Sequence, residues 1–225
     1  MWYNNYMIIK NKFIFSALLV SGIFLGGNSS EAYQSQVILG EESIKIDSPE
    51  TAKAFYGELS GRENSFKINS DTPFNLYVNI LVPDVFGARE DFTVEISKDG
   101  KIVAVLNGAN SQWKNFYEPF AGDNYWKGPE YNSSVEAGAY EIKIANPGQV
   151  GKYALVVGKT ASLSPGATLQ SIFLIPQIKT YFFHEAFFSA YCNQTTLLFL
   201  VVCLSLTGLG VVAVVFYRNN RRRDV

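Results

Sequence analysis

The chain has 225 residues, a formal net charge of −1, two cysteines and a single histidine. So balanced a charge excludes a dedicated nucleic-acid binder. So few histidines and cysteines leave no zinc-type cluster and little material for a His-based catalytic site.

Lys10 and Lys12 precede an uncharged apolar stretch, residues 13–27, and Ser30-Glu31-Ala32 places small residues around a cleavage point. A basic segment, a short apolar segment and a small-x-small site predict a secretory signal peptide over residues 1–32. The alternative is an uncleaved anchor. Both readings export the chain beyond Ala32. The exported part, residues 33–195, carries 13 Lys/Arg against 18 Asp/Glu and is one domain's worth of chain. It holds no cysteine before Cys192, so its core needs no disulfide.

Residues 33–160 read as an antiparallel β-sandwich or jelly roll. Phe74, Leu76, Val78, Ile80 and Val82 alternate with Asn75, Tyr77, Asn79 and Leu81, and Phe92, Val94 and Ile96 alternate with Thr93, Glu95 and Ser97. A period of two predicts strands with one face in a core and the other in water. Shorter candidates lie at 37–39, 43–46, 54–59 and 65–68. Asp99-Gly100 predicts a two-residue hairpin turn with positive φ at both positions. Residues 153–157 are continuously apolar and predict a central strand. Seven to nine short strands are expected.

Residues 110–131 break the alternation and read as a long aromatic loop. Trp113, Phe116, Tyr117, Phe120, Tyr125, Trp126 and Tyr131 crowd there. Exposed rings of this kind stack on sugars or bury against a protein. Trp113, Tyr117, Asp123, Tyr125 and Trp126 are the candidate ligand-binding residues. The competing reading is a mini-core that buries its own rings. Glu118 and Glu130 are the one candidate glycosidase pair. Asp84, Glu90, Asp91, Asp123 and Glu130 are loop acids without the spacing of a calcium loop. No catalytic residue, metal site or cofactor is predicted.

Val135-x-Ala137-Gly138-x-Tyr140-x-Ile142-x-Ile144, followed by Gly151-x-Tyr153 and the run to Val157, resembles the ending of the bacterial pre-peptidase C-terminal domains. The resemblance covers residues 135–157 clearly. It implies a small β-sandwich with a binding or accessory role and no chemistry of its own.

Residues 161–195 predict an amphipathic connector, with Ser164 as N-cap, Pro165 in the first turn and an interruption at Pro176. It docks either on the sandwich or in the lipid interface. Residues 196–217 form an uncharged run long enough to cross a bilayer, since about 20 apolar residues span roughly 30 Å. Arg218, Arg221, Arg222 and Arg223 come next in a basic tail, residues 218–225, and mark the cytoplasmic end. The expected product is a single-pass type I protein of the cell membrane with its domain outside. Its expected function is that of a non-enzymatic binding module for a protein or glycan. The alternatives are an accessory subunit of an envelope transport or secretion complex and, third, a glycosidase-like enzyme.

Overall fold

The computed structural model describes residues 34–38, 43–118, 122–161, 165–191 and 194–221. The predicted signal segment, Phe120, Ser164, Cys192, Arg222 and Arg223 lie outside them. The described residues form eleven strands in two sheets, more than the seven to nine expected. These are β1 (Gln34–Val37), β2 (Ser43–Ile46), β3 (Lys53–Ser60), β4 (Asn64–Ser70), β5 (Phe74–Pro83), β6 (Thr93–Lys98), β7 (Lys101–Asn107), β8 (Lys114–Glu118), β9 (Asp123–Val135), β10 (Gly138–Ala145) and β11 (Val150–Val157). One sheet has the order β1-β3-β11-β5-β9-β8, the other β2-β4-β10-β6-β7. The architecture is a β-sandwich.

The two sheets bury their facing rows on each other. Phe55, Leu76, Val78, Ile80 and Leu155 of the six-stranded sheet share one core with Phe66, Ile68, Val94, Ile96, Ile142 and Ile144 of the five-stranded sheet. The turn between β6 and β7 is the one the sequence predicts, with φ of 49° at Asp99 and 76° at Gly100. Strand β11 lies between β3 and β5, a central position that explains its continuous apolar run.

The six-stranded sheet departs from expectation on its other face. Tyr77 and Leu81 do not reach water. With Tyr56, Tyr125, Ala154 and Val156 they form a second core, closed by Ile178 and Phe182 of helix α1 (Pro165–Phe182). The connector therefore docks on the sandwich, and Pro176 does not interrupt it. Proline inside a helix costs about 3 kcal/mol. Burial of Ile175, Ile178 and Phe182 offsets that cost, since each fully buried large apolar side chain contributes about 1.5–3 kcal/mol.

A wide hydrogen-bonded turn ends α1. The Glu185 N–H donates to the Lys179 carbonyl at 3.0 Å, and His184 takes the left-handed position, φ 55°, usually held by glycine. A short 3-10 segment, Phe187–Tyr191, comes next, and its Ala190 packs on Ile175.

Helix α2 (Gln194–Arg221) belongs to a separate compact unit. Its stretch Leu200–Asn220 is long and apolar enough to cross a membrane.

Alternation within the shared core yields a direct test. Ile96 is fully buried and neighbouring Glu95 is not. Ile96→Ala should lower the unfolding free energy by about 2–4 kcal/mol, and Glu95→Ala by less than about 1 kcal/mol. Urea unfolding checks both values, and equal losses would mean that β6 is read in the wrong register.

Candidate functional site

The aromatic stretch read as a loop is the β8–β9 hairpin at one edge of the six-stranded sheet. The sequence hid these strands because they carry large side chains on both faces, which erases the period of two. Alternation in the hairpin sorts the five candidate residues into different environments.

Phe116 pairs with Tyr125 and Glu118 with Asp123 across the hairpin, on the face under α1. Tyr125 is completely buried, its ring 5.2 Å from that of Phe183 in an edge-to-face contact. Asp123 is buried and ion-paired to Lys179, which is buried as well. Glu118 is also buried, so two carboxylates and one ammonium lie beneath the helix. Glu185 approaches Lys179 to 3.7 Å from the rim.

Burial pushes the Asp123 carboxyl above its ordinary value, outweighing the pull of Lys179. The Tyr56 and Tyr125 hydroxyls face one another, and burial, reinforced by the nearby carboxylates, raises both. Among the described residues the Tyr125 hydroxyl and Asp123 Oδ2 make no hydrogen bond of standard geometry.

The opposite face of the hairpin carries Asn115 paired with Trp126 and Tyr117 paired with Asn124. Tyr117 is 55% exposed, and Trp126 is half-buried, its indole N–H donating to Asp84 Oδ1 at 2.9 Å. Trp113 precedes β8 and lies in a slot. Its indole N–H donates to the Gly108 carbonyl at 2.9 Å, and a Cβ on Gly128 would stand 2.7 Å from its ring. Gly128 belongs to a bulge in which β9 carries one extra residue, Gly128 and Pro129 lying opposite the single Ile80 of β5. The buried Asn79 amide donates to the Gly128 and Pro129 carbonyls at 3.1 and 3.2 Å, satisfying groups that the bulge removes from the ladder. Trp113 and Tyr125 thus belong to packing, Asp123 to a buried ion pair, and Tyr117 and the outer part of Trp126 to the surface.

The neighbouring β5–β6 connection supplies a residue that sequence reasoning missed. Phe86 is 108% exposed. It sits on a tight turn held by the Ala88 N–H donating to the Val85 carbonyl at 3.1 Å, with φ 80° at Gly87. The turn is tied to β9 on one side and flanked by a local ion pair on the other. The Asp84 N–H donates to the Asn124 carbonyl at 3.0 Å, and Arg89 Nε donates to Asp91 Oδ1 at 2.8 Å. A phenylalanine just before a turn glycine was the only signal for it in the sequence.

Glu130 pairs with Lys127 at 2.8 Å and accepts the Tyr77 hydroxyl at 3.0 Å, and these contacts lower its pKa. Glu118 and Glu130 do not converge. Glu130 lies seven positions along β9 from Asp123, the partner of Glu118, roughly 20 Å at the rise of a strand. Among the described residues no three His, Cys, Asp or Glu side chains group as metal ligands do. His184 Nε2 lies 3.0 Å from Lys152 Nζ at the helix end.

No protein family and no curated protein matches the chain. Among solved structures, the pre-peptidase C-terminal domain of a collagenase from Bacillus anthracis is similar at 14% identity and a TM-score of 0.33, over 54% of this chain and 97% of that one. The Yersinia pseudotuberculosis-derived mitogen gives 14% identity and the same TM-score, over 52% and 92%. The catalytic domain of a GH87 α-1,3-glucanase gives 18% identity and a TM-score of 0.26, over 53% and 27%. The resemblance to the pre-peptidase C-terminal domain stands as a weak likeness over about half the chain. A likeness of this size carries neither family membership nor activity.

The buried pair makes a sharp prediction. Lys179→Ala leaves the buried Asp123 carboxylate without its counter-ion and should cost about 3–5 kcal/mol. The double replacement Asp123→Leu with Lys179→Met removes both charges and should restore stability to within about 1 kcal/mol of the parent, measured by urea unfolding. A double variant as unstable as Lys179→Ala would show that the ion pair itself stabilises the fold and that apolar packing does not replace it.

Proposed function

We propose that this chain is a membrane-anchored, non-enzymatic recognition module, held by α2 with its β-sandwich outside the cytoplasm. The observation that carries the reading is Phe86. A fully exposed phenylalanine on a hydrogen-bonded turn tied to β9 is costly to keep in water, and an exposed aromatic of this kind is what a binding hot spot uses. Tyr117, the outer part of Trp126, Asn115, Asn124 and Asp84 extend the surface with rings and hydrogen-bonding groups. This mixture suits a glycan or a polar-rimmed protein surface. The orientation rests on Lys10 and Lys12 before the first apolar segment and on the arginines after the second.

One observation favours a protein partner in a larger assembly as a second reading. Strand β7 is a sheet edge and exposes Ile102, Val103 and Val105. An apolar edge strand can accept a strand from a neighbour.

Phe86→Ala should change the stability of the full-length protein by no more than about 0.5 kcal/mol, because nothing packs on the ring. It should weaken partner or glycan binding by at least about tenfold, with a similar effect from Tyr117→Ser. A photo-crosslinking residue at position 86 in native membranes should yield a discrete adduct that Tyr117→Ser abolishes. Silence at 86 with an adduct at position 103 would favour the assembly reading. Silence at both positions, together with a blank glycan array, would retire the module.

Orientation is tested separately. Protease added to intact cells should remove the sandwich and spare an epitope placed after Val225. Digestion of that epitope with survival of the sandwich would reverse the topology.

A further inference from the structure

The outer face of the five-stranded sheet holds a second concavity, apart from the surface just described. It encloses about 460 Å³ and crosses four strands, lined in part by Lys45, Lys67, Asn69, Ser97, Ala139 and Glu141. Its position is set by register. Lys45 of β2 stands opposite Lys67 of β4, Lys67 opposite Glu141 of β10, and Glu141 opposite Ser97 of β6. These four residues form one outward row. In the next row Ala139 stands opposite Asn69, and this small side chain leaves the floor of the trough open.

The two lysines are the unusual feature. Adjacent strands are about 4.8 Å apart, so two ammonium groups directly opposite one another repel. Lys45 is partly neutralised by Asp47 at 2.9 Å. The Glu141 carboxylate, which would be the natural partner of Lys67, instead accepts the Ser65 hydroxyl at 2.7 Å and lies 4.0 Å from Lys143. Lys67 has no ion pair or hydrogen bond of its side chain among the described residues. Two lysines at paired register positions beside an open trough, one of them without a counter-ion among the described residues, form an electrostatic vacancy for an anion.

The rest of the lining narrows the class. Asn69 offers an amide, Ser43 a hydroxyl, and Asp99 and Glu141 are acceptors on the side away from Lys45. A bare anion would use the ammonium groups and leave the remainder idle. We propose that this trough binds an acidic saccharide of the uronic-acid type. Its carboxylate sits between Lys45 and Lys67, its ring lies over Ala139, and its hydroxyls reach Asn69, Ser97 and Glu141.

The test uses full-length protein in nanodiscs and three probes: a uronate tetrasaccharide, a neutral tetrasaccharide and inorganic sulfate. Calorimetry should show the uronate binding at least tenfold more tightly than either of the others. Lys67→Gln should weaken the uronate at least tenfold, whereas Lys152→Gln, a charge control on the other sheet, should not. Without ligand, Lys67→Gln should melt at or above the parent temperature, because it removes a repulsion. The proposal is overturned if the uronate does not bind, if it binds Lys67→Gln unchanged, or if either control probe matches it. It is equally overturned if Lys67→Gln lowers the melting temperature, which would make the lysine structural. Crosslinking at position 86 should be the same in Lys67→Gln and the parent, so failure here is distinct from failure of the recognition surface.

Discussion

Strands β5 and β11 carry large apolar side chains on both faces, and the need to keep these dry shapes the rest of the structure. Val78, Ile80, Leu155 and Val157 face the second sheet, while Tyr77, Leu81, Ala154 and Val156 face away from it. A two-layer sandwich satisfies only the first set. Exposed apolar area costs about 25 cal/mol per Å², so the outer set needs a third layer. Helix α1 is that layer, which is why it continues through Pro176 and why it belongs to the same compact unit as the sandwich.

An apolar stripe on a flat sheet holds a helix in place without fixing its rotation or its position along the axis. The Lys179–Asp123 pair supplies a specific contact. Such pairs add little net stability once desolvation is counted, but misplacing one partner leaves a buried charge, which penalises other docking positions. The helix ends where this contact is made. The Lys179 carbonyl accepts the hydrogen bond from the Glu185 N–H that closes the helix end, and the Glu185 side chain returns to the Lys179 ammonium. Termination and placement of the helix therefore meet in one residue.

The same geometry divides structural from available surface. The face of the β8–β9 hairpin under α1 is committed to Tyr125, Asp123 and Lys179. The opposite face and the adjoining turn leave Tyr117 and Phe86 in solvent. The bulge at Gly128 and Pro129 widens β9 enough for Trp113 to lie against the backbone, with Asn79 satisfying the displaced carbonyls. Aromatic residues that form one cluster in sequence thus serve several purposes, because consecutive residues of a strand point to opposite faces.

The sequence alone determined the strand periodicity of β5, β6 and β10, the Asp99-Gly100 turn, the central place of β11 and the apolar run of α2. Each is written in local spacing or in composition, which need no partner to be read. It did not reveal the β8–β9 hairpin, since large aromatic side chains on both of its faces erase the apolar–polar alternation. It did not reveal the cover over Tyr77 and Leu81 either, because what lies on a sheet face is decided by a helix about a hundred residues away. The roles of Asp123 and Lys179, the vacancy beside Lys67 and the isolation of Phe86 depend on which strands become neighbours and in which register. Those are long-range facts, and only the tertiary structure decided them.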